Sequence, residues 1–396
     1  MAELRVALVH DWLTGMRGGE KVLEVLCELF PDAPLFTLLH NKGAMSPGIE
    51  NMDIHTSFVQ SLPFREEHYR RYLPLFPRAI ESFDFKGYDL IISSSHCVAK
   101  GAKPVGNALH ICYCFTPMRY VWDQYSEYFG KGRAGLATRT LMSAIAPSLR
   151  NWDVRSSSRV HFFVADSENV AKRIERFYAR AADVIHAPVD TSLFSIQDKQ
   201  LDYYLMVSAL VPYKRVDLAV ETFNQVGRRL VIIGSGPEEE HLKARAAENI
   251  EFLGWESNDV LAKFYANCQA LIFPGIEDFG IVPLEAMASG RPVIAFAEGG
   301  ALETVVGKGD KPTGVFFHEQ SVEGLTNAIK EFESKRFDPK RFANTQKNSI
   351  ESASNNACTN TLLTRSLSTS NEFTPFLFLC HSPLRLSNRI FTGATV

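Results

Sequence analysis

Apolar and polar positions along this chain switch repeatedly between two periods. Residues 4–10 (LRVALVH) form a nearly continuous apolar run, the pattern of a strand buried on both faces. Residues 11–19 carry glycines at 15, 18 and 19 and read as a loop. GEKVLEVLCELF then places apolar side chains at helical spacing until Pro31 ends the segment. PLFTLLH, YDLIISSS (88–95), ALHICYCF (108–115) and HFFVADS read as further strands, with helices expected over 133–156 and 168–180. Residues 41–88 are less regular, TPMRYVWDQYSEYFG reads as an aromatic-rich loop, and ADVIHAPVD ends this first series.

The polar segment IQDKQLD (196–202) reads as a linker, and the alternation restarts beyond it. DYYLMVSAL, RLVIIGSG, IEFLGW, ALIFPG, PVIAF and GVFF are predicted strands. KRVDLAVETFNQV, PEEEHLKARAAE, DVLAKFYANC, VPLEAMASG and residues 322–334 are predicted helices. Strands alternating with helices of about 10–15 residues imply βαβ units and parallel sheets. The expected fold class is α/β, with two doubly wound Rossmann-like domains facing a central cleft. The boundaries read as 1–195, a linker at 196–202, and 203–345. In such folds ligands sit beyond the carboxyl ends of the strands, and clefts between domains are favoured sites.

The pattern breaks near residue 346. From 347 to 396, Ser, Thr and Asn fill 21 of 50 positions and only Glu351 and Glu372 are acidic, so helical periodicity is lost. TPFLFLC is an apolar island without an obvious partner. Residues 346–396 are therefore expected to form an atypical, poorly ordered tail, as a frame change near 343–350 would produce.

Composition narrows the function classes. The chain has 396 residues, 45% hydrophobic and 22% charged, enough for more than one core. A net charge of -3 gives no support for a nucleic-acid partner. The N-terminus reads as a first strand, not a signal peptide, and no run reaches the roughly 18 apolar residues of a spanning helix. Seven cysteines, scattered and without a C-x-x-C pair, predict free thiols in a reducing cytoplasm and no zinc site.

The strongest constellation is PGIEDFGIVPLE (274–285), which follows a predicted strand and opens a predicted helix. That placement offers main-chain amides and a positive helix end to phosphate oxygens. Glu277 and Glu285 lie eight positions apart, and carboxylates are good acceptors for vicinal hydroxyls of a ribose or a hexose; a solvated capping residue is the plainer reading for either. Lys214 and Arg215 lie in VPYKRVD, Gly18 and Gly19 follow the first strand with Arg17 beside them, and His96 follows SSS at a strand end. Arg119 and Asp123 sit among the rings of TPMRYVWD, and Asp166–Ser167 ends another strand. His10 and His110 read as core or strand-end residues.

The string EDFGIVPLE, with AMASGRPVIA and EGGALE behind it, closely resembles the retaining GT-B glycosyltransferases of family 4, whose signature is Glu, seven residues, Glu. The resemblance spans roughly residues 4–345. VPYKRVD and TPMRYVWD resemble, less specifically, the bacterial mannosyltransferases that build O-antigen and exopolysaccharide chains. It implies that Glu277 holds donor-hexose hydroxyls, Glu285 the ribose diol, and the Asp278, Phe279, Gly280 and Ile281 turn the sugar and phosphates. It implies that Lys214 neutralises the diphosphate, Gly18 and Gly19 lie beside it, and His96 meets the sugar near the reacting centre. Many relatives carry an arginine where Ala209 stands, which leaves Arg215 to supply a second charge. Arg119 and Asp123 are the acceptor candidates.

The implied activity is retaining, metal-independent transfer of a hexose from a nucleoside diphosphate sugar, GDP-mannose favoured, with no cofactor. The implied acceptor is a glycolipid or growing polysaccharide, used in the cytoplasm at the inner membrane face. Arg65, Arg70, Arg71 and Arg78, near Tyr69, Tyr72 and Phe76, are candidates for peripheral membrane contact. Two other readings share the fold: an epimerase or phosphorylase, and a catalytically inactive homologue that binds nucleotide sugars. The tail motivates the last, because the helix that braces the N-terminal domain in related enzymes is missing from the pattern. Ending the chain at residue 345 should leave the melting temperature within about 2 °C, less than 1 kcal/mol would move it; a large drop in a thermal melt would make the tail part of the fold.

Overall fold

The structure, a computed structural model, describes residues 4–342 apart from 131–134, 191–192, 198, 310 and 340–341. The tail expected over 346–396 lies outside the described residues. Seven strands form the first sheet: β1 (Val6–His10), β2 (Leu35–Thr37), β3 (Ile54–Thr56), β4 (Leu90–Ser95), β5 (Leu109–Cys114), β6 (Phe162–Ala165) and β7 (Ala182–Val184). They pair in parallel in the order β3-β2-β1-β4-β5-β6-β7. Six strands form the second: β8 (Tyr204–Val207), β9 (Leu230–Ile233), β10 (Ile250–Gly254), β11 (Leu271–Phe273), β12 (Val293–Phe296) and β13 (Gly314–Phe317). Their order is β10-β9-β8-β11-β12-β13, again parallel. The chain thus makes two Rossmann-like α/β domains.

The continuous apolar runs are explained by burial on both faces. In the second sheet Tyr204, Met206 and Ile232 pack into one core, while Leu205, Val231 and Ile233 pack into another on the opposite face. Successive strand side chains point to opposite sides, so a strand covered on both sides can have no polar phase. Strand order reverses between β1 and β4 and again between β8 and β11. Crossovers leave in opposite directions at such a point and open a crevice at the carboxyl ends of the strands.

Four local expectations are corrected. Gly18 and Gly19 are not in the loop but form the first turn of the Gly18–Leu29 helix; Arg17 is its N-cap, and the Glu20 side chain accepts the Arg17 N–H at 3.1 Å. The helix expected over 237–248 is only Glu239–Lys243. Asn224 explains this, donating to the Arg245 carbonyl at 2.8 Å and accepting the Ala247 N–H at 2.9 Å, so the chain leaves helical bonding there. Lys214 ends a 3-10 turn (Pro212–Lys214), and the Val216–Val226 helix starts only after Arg215, held at φ +55°. The aromatic segment 116–130 also contains a short helix, Tyr125–Phe129.

One buried charge cluster organises the first domain. Lys100, 1% exposed, lies 2.7 Å from Asp153 Oδ1 and donates to Ser156 Oγ at 2.8 Å. Trp122 Nε1–H and Tyr178 O–H each donate to Asp153 Oδ2 at 2.8 Å. Asp153 thereby joins the turn after β4, the long Leu136–Ser157 helix, the Glu168–Tyr178 helix and the aromatic segment. Asp153→Ala would leave a buried ammonium uncompensated and should cost about 3–5 kcal/mol in urea unfolding; a loss under 1 kcal/mol would show the cluster to be incidental.

Candidate active site

The loops after β8 and β11 meet at the reversal point of the second sheet. A Cβ on Gly275 would lie 2.8 Å from Lys214 Cα and 2.9 Å from the Tyr213 carbonyl, so only glycine lets these loops press together. The contact brings Lys214 and Glu277 into an ion pair. Burial, with Arg119 nearby, pulls the Lys214 ammonium down to about 7, while the Asp278 carboxylate works the other way. Gly280, at φ +97°, is the N-cap of the Ile281–Ala288 helix. The Phe279–Gly280–Ile281 main chain therefore sits at that helix's positive end.

Glu285 is one turn inside the same helix and buried. Its Oε2 accepts the Tyr265 O–H at 2.9 Å, and its Oε1 accepts Lys21 Nζ at 3.0 Å. Lys21 belongs to the first domain, in the opening turns of the Gly18–Leu29 helix. A Cβ at Gly18 would stand 3.0 Å from Ile281 Cδ1, and one at Gly19 3.2 Å from the Phe115 ring. The first turns of two helices, one from each domain, thus converge on one place with both positive ends.

Asp278 points the other way. Its carboxylate accepts from Arg119 Nη2 at 2.5 Å and pairs with Arg173 Nη1, both of the first domain. Its carbonyl accepts Ser167 Oγ–H at 2.7 Å. Arg119 also donates to the Tyr213 hydroxyl at 3.2 Å, and Asp123 accepts Arg173 Nε at 2.9 Å. The charges of Arg119, Asp123 and Asp278 are engaged with one another through Arg173. Burial opposes the Arg119 charge, yet Asp278 raises its pKa further. Asp166, beside Ser167, is buried, and burial together with Asp278 pushes its carboxyl well up. Arg215 donates to Asp217 at 3.1 Å and to Gln320 at 2.8 Å, so its cation is held within the second domain. His186 stacks on Phe279 with centroids 5.0 Å apart.

His96 follows β4 at the reversal point of the first sheet, with Nδ1 3.2 Å from Asp11 Oδ2. Burial pushes its pKa down to about 4, with His10 and Arg119 adding to the fall and Asp11 and Glu20 opposing it. His10 ends β1, fully buried, with Nδ1 2.7 Å from Ser94 Oγ. His110 is buried on β5 against Ser93 Oγ at 2.8 Å, and burial lowers its pKa to about 3. Asp11, Glu20, Lys21, Arg173, His186, Tyr265 and Glu303 are neighbours of the site that sequence reasoning missed. Glu20 and Lys21 directly follow Gly18–Gly19 and could have been found as first-turn polar residues. The others meet their partners only through the fold.

Among the described residues, no group of three or more His, Cys, Asp or Glu is placed to hold a metal ion, and no helix is long and apolar enough to cross a membrane. The five described cysteines are buried free thiols; Cys358 and Cys380 lie outside the described residues.

Residues 194–350, which hold Lys214 and both glutamates, match the family model described as Glycosyl transferases group 1. This segment is similar to group 1 glycosyltransferase domains. An uncharacterized glycosyltransferase of Methanocaldococcus jannaschii is 30% identical over 145 residues, covering 35% of this chain and 41% of that protein. A GDP-mannose-dependent alpha-(1-6)-phosphatidylinositol monomannoside mannosyltransferase of Mycobacterium tuberculosis is 35% identical over 143 residues, 32% of this chain and 36% of that protein. The matched part spans about two fifths of these curated relatives or less. The sucrose-phosphate synthase of Thermosynechococcus elongatus superposes over 89% of this chain and 94% of its own, with a TM-score of 0.64 and 18% identity. The matched domain and its Rossmann-like partner make the fold GT-B.

Because the pKa values of His96 and His110 are depressed, the unfolded chain binds more protons than the folded one below about pH 6.5. Stability is therefore expected in full above that pH and to fall as pH drops towards 4. Urea midpoints across this window should show a shallower slope in His96→Gln than in the parent; parallel slopes would mean that His96 is not held neutral.

Proposed function

We propose that the chain is a retaining, metal-independent hexosyltransferase of family 4 that uses a nucleoside diphosphate sugar. The observation that carries this is the convergence of two helix N-termini, those of Gly18–Leu29 and Ile281–Ala288, on a place flanked by Lys214, Glu277 and Glu285. A departing nucleoside diphosphate builds negative charge. Helix-end amides and a fixed cation stabilise it as it forms. In this reading the diphosphate takes over Lys214 and frees Glu277 for hydroxyls of the hexose. Glu285, held by Tyr265 and Lys21, accepts the ribose diol. Retention follows from departure and attack on one face, with the leaving oxygen taking the acceptor proton, unlike the paired carboxylates of glycosidases. Packing of the two domains excludes water from the activated sugar.

GDP-mannose is the favoured donor, and the GDP-mannose-dependent relative supports it. The acceptor is a lipid-linked glycan or a growing polysaccharide, met at the cytoplasmic face of the membrane. The sequence candidates Arg119 and Asp123 would reach it only by exchanging their present ion pairs.

Calorimetric titration with GDP, UDP and ADP tests the reading. GDP should bind selectively, and Glu285→Ala should weaken it by about 1–3 kcal/mol, roughly 5–150-fold. Equal affinity in both proteins would remove the ribose role. Turnover of GDP-mannose without an acceptor glycan would favour an epimerase, dependence on inorganic phosphate a phosphorylase, and binding without turnover an inactive homologue.

A further inference from the structure

Asp11 directly follows β1 and is fully buried. Its Oδ2 accepts the main-chain N–H groups of His96 at 2.7 Å and Cys97 at 2.9 Å. Its Oδ1 accepts those of Val98 at 2.6 Å and Ala99 at 2.7 Å. Four consecutive amides beyond β4 therefore close on a single carboxylate from the neighbouring strand. The same Oδ2 is the oxygen that stands 3.2 Å from His96 Nδ1. The Trp12 ring meets the imidazole edge-on, with centroids 4.4 Å apart. Backbone and ring of His96 are thus both referred to the end of β1. The side chain keeps 22% of its surface exposed, and among the described residues its ring makes no hydrogen bond to another polar group.

We infer that Asp11 is a positioning residue for His96: it draws the imidazole proton to Nδ1 and leaves Nε2 as a bare acceptor for a hydroxyl of the donor sugar. The hydroxyl rests on the proposed transferase reading; the tautomer does not. A neutral imidazole can donate from either nitrogen, and the partner on one decides what the other can do. A carboxylate this close to Nδ1 favours, through charge, the tautomer that carries its proton there. The low basicity of His96, set by burial, keeps the ring neutral at pH 7. A neutral acceptor there does not oppose positive charge growing on a sugar ring, whereas an imidazolium would. His10 faces away from this arrangement. Its Nδ1 meets Ser94 Oγ and its Nε2 lies 3.7 Å from Glu20 Oε1, so it does not compete for Asp11.

Long-range proton–nitrogen NMR correlation of the full 15N-labelled chain at pH 7 tests the inference. The His96 signals are assigned by their loss in His96→Gln. The expected pattern is a protonated Nδ1 and an unprotonated, imine-type Nε2, and Asp11→Asn should move the proton largely to Nε2. A parent ring protonated at Nε2, or at both nitrogens, overturns the inference, as does an unchanged tautomer in a folded Asp11→Asn. Should that variant fail to fold, the spectrum of the parent alone decides. Where donor turnover is measurable, Asp11→Asn should lower kcat about 10–100-fold, the scale for carboxylates that orient histidines, with nucleotide affinity unchanged; an unaltered kcat overturns the inference. Absence of nucleotide binding would sink the transferase reading and leave the tautomer test standing.

Discussion

Parallel pairing is the constraint on which the rest of this structure depends. Among the described residues, every ladder in both sheets is parallel. Each strand must therefore be followed by a crossover that covers a face, and the carboxyl ends of a sheet all lie along one edge. Where the order reverses, neighbouring crossovers part and leave main-chain groups and loop side chains facing open space. His96 and Asp11 stand at one such point, and Lys214 and Glu277 at the other. No element was shaped for these residues alone. They occupy the place that strand direction leaves uncovered.

This constraint also explains what the sequence made legible. Apolar runs such as 4–10 and 204–207 are strands because both faces are covered, and the alternation of runs with helical segments encodes the parallel sheets. Glu277, Lys214, His96 and the two glycines could be singled out because each lies in or at the end of the segment that links a strand to the next helix. Side-chain pairing across the fold was not legible. Lys21 meets Glu285 across 264 positions and Arg173 meets Asp278 across 105, and no local pattern encodes such distances. The same holds for Asn224, which ends a helix far along the chain, and for Arg215, drawn to Asp217 and Gln320 instead of towards Lys214. Local signals report what a residue does to its own backbone; these contacts depend on where other elements are set down.

The charged groups of the site are arranged in opposite-sign pairs: Lys214 with Glu277, Lys21 with Glu285, Arg119 and Arg173 with Asp278. Burying any of these alone would be costly, and pairing offsets much of that cost. A ligand entering such a site does not fill an empty field. It exchanges partners, so its affinity reflects the difference between two sets of contacts. Recognition by exchange favours ligands that carry both an anion and hydroxyls, since one must satisfy the cation and the other the carboxylate it leaves behind.

The Glu168–Tyr178 helix begins in an unusual way. Its N-cap Ser167 gives its own hydroxyl proton to Asp278 in the other domain, while the amides of Glu168 and Asn169 point at the Glu303 carboxylate, 2.8 and 2.9 Å away, also in the other domain. An element of one domain is thus capped by the other. Separating the domains would uncap a helix, and fraying that helix would loosen the domains. The two amide protons are consequently built-in gauges of the angle between the halves, readable one residue at a time in a molecule whose overall shape need not be observed.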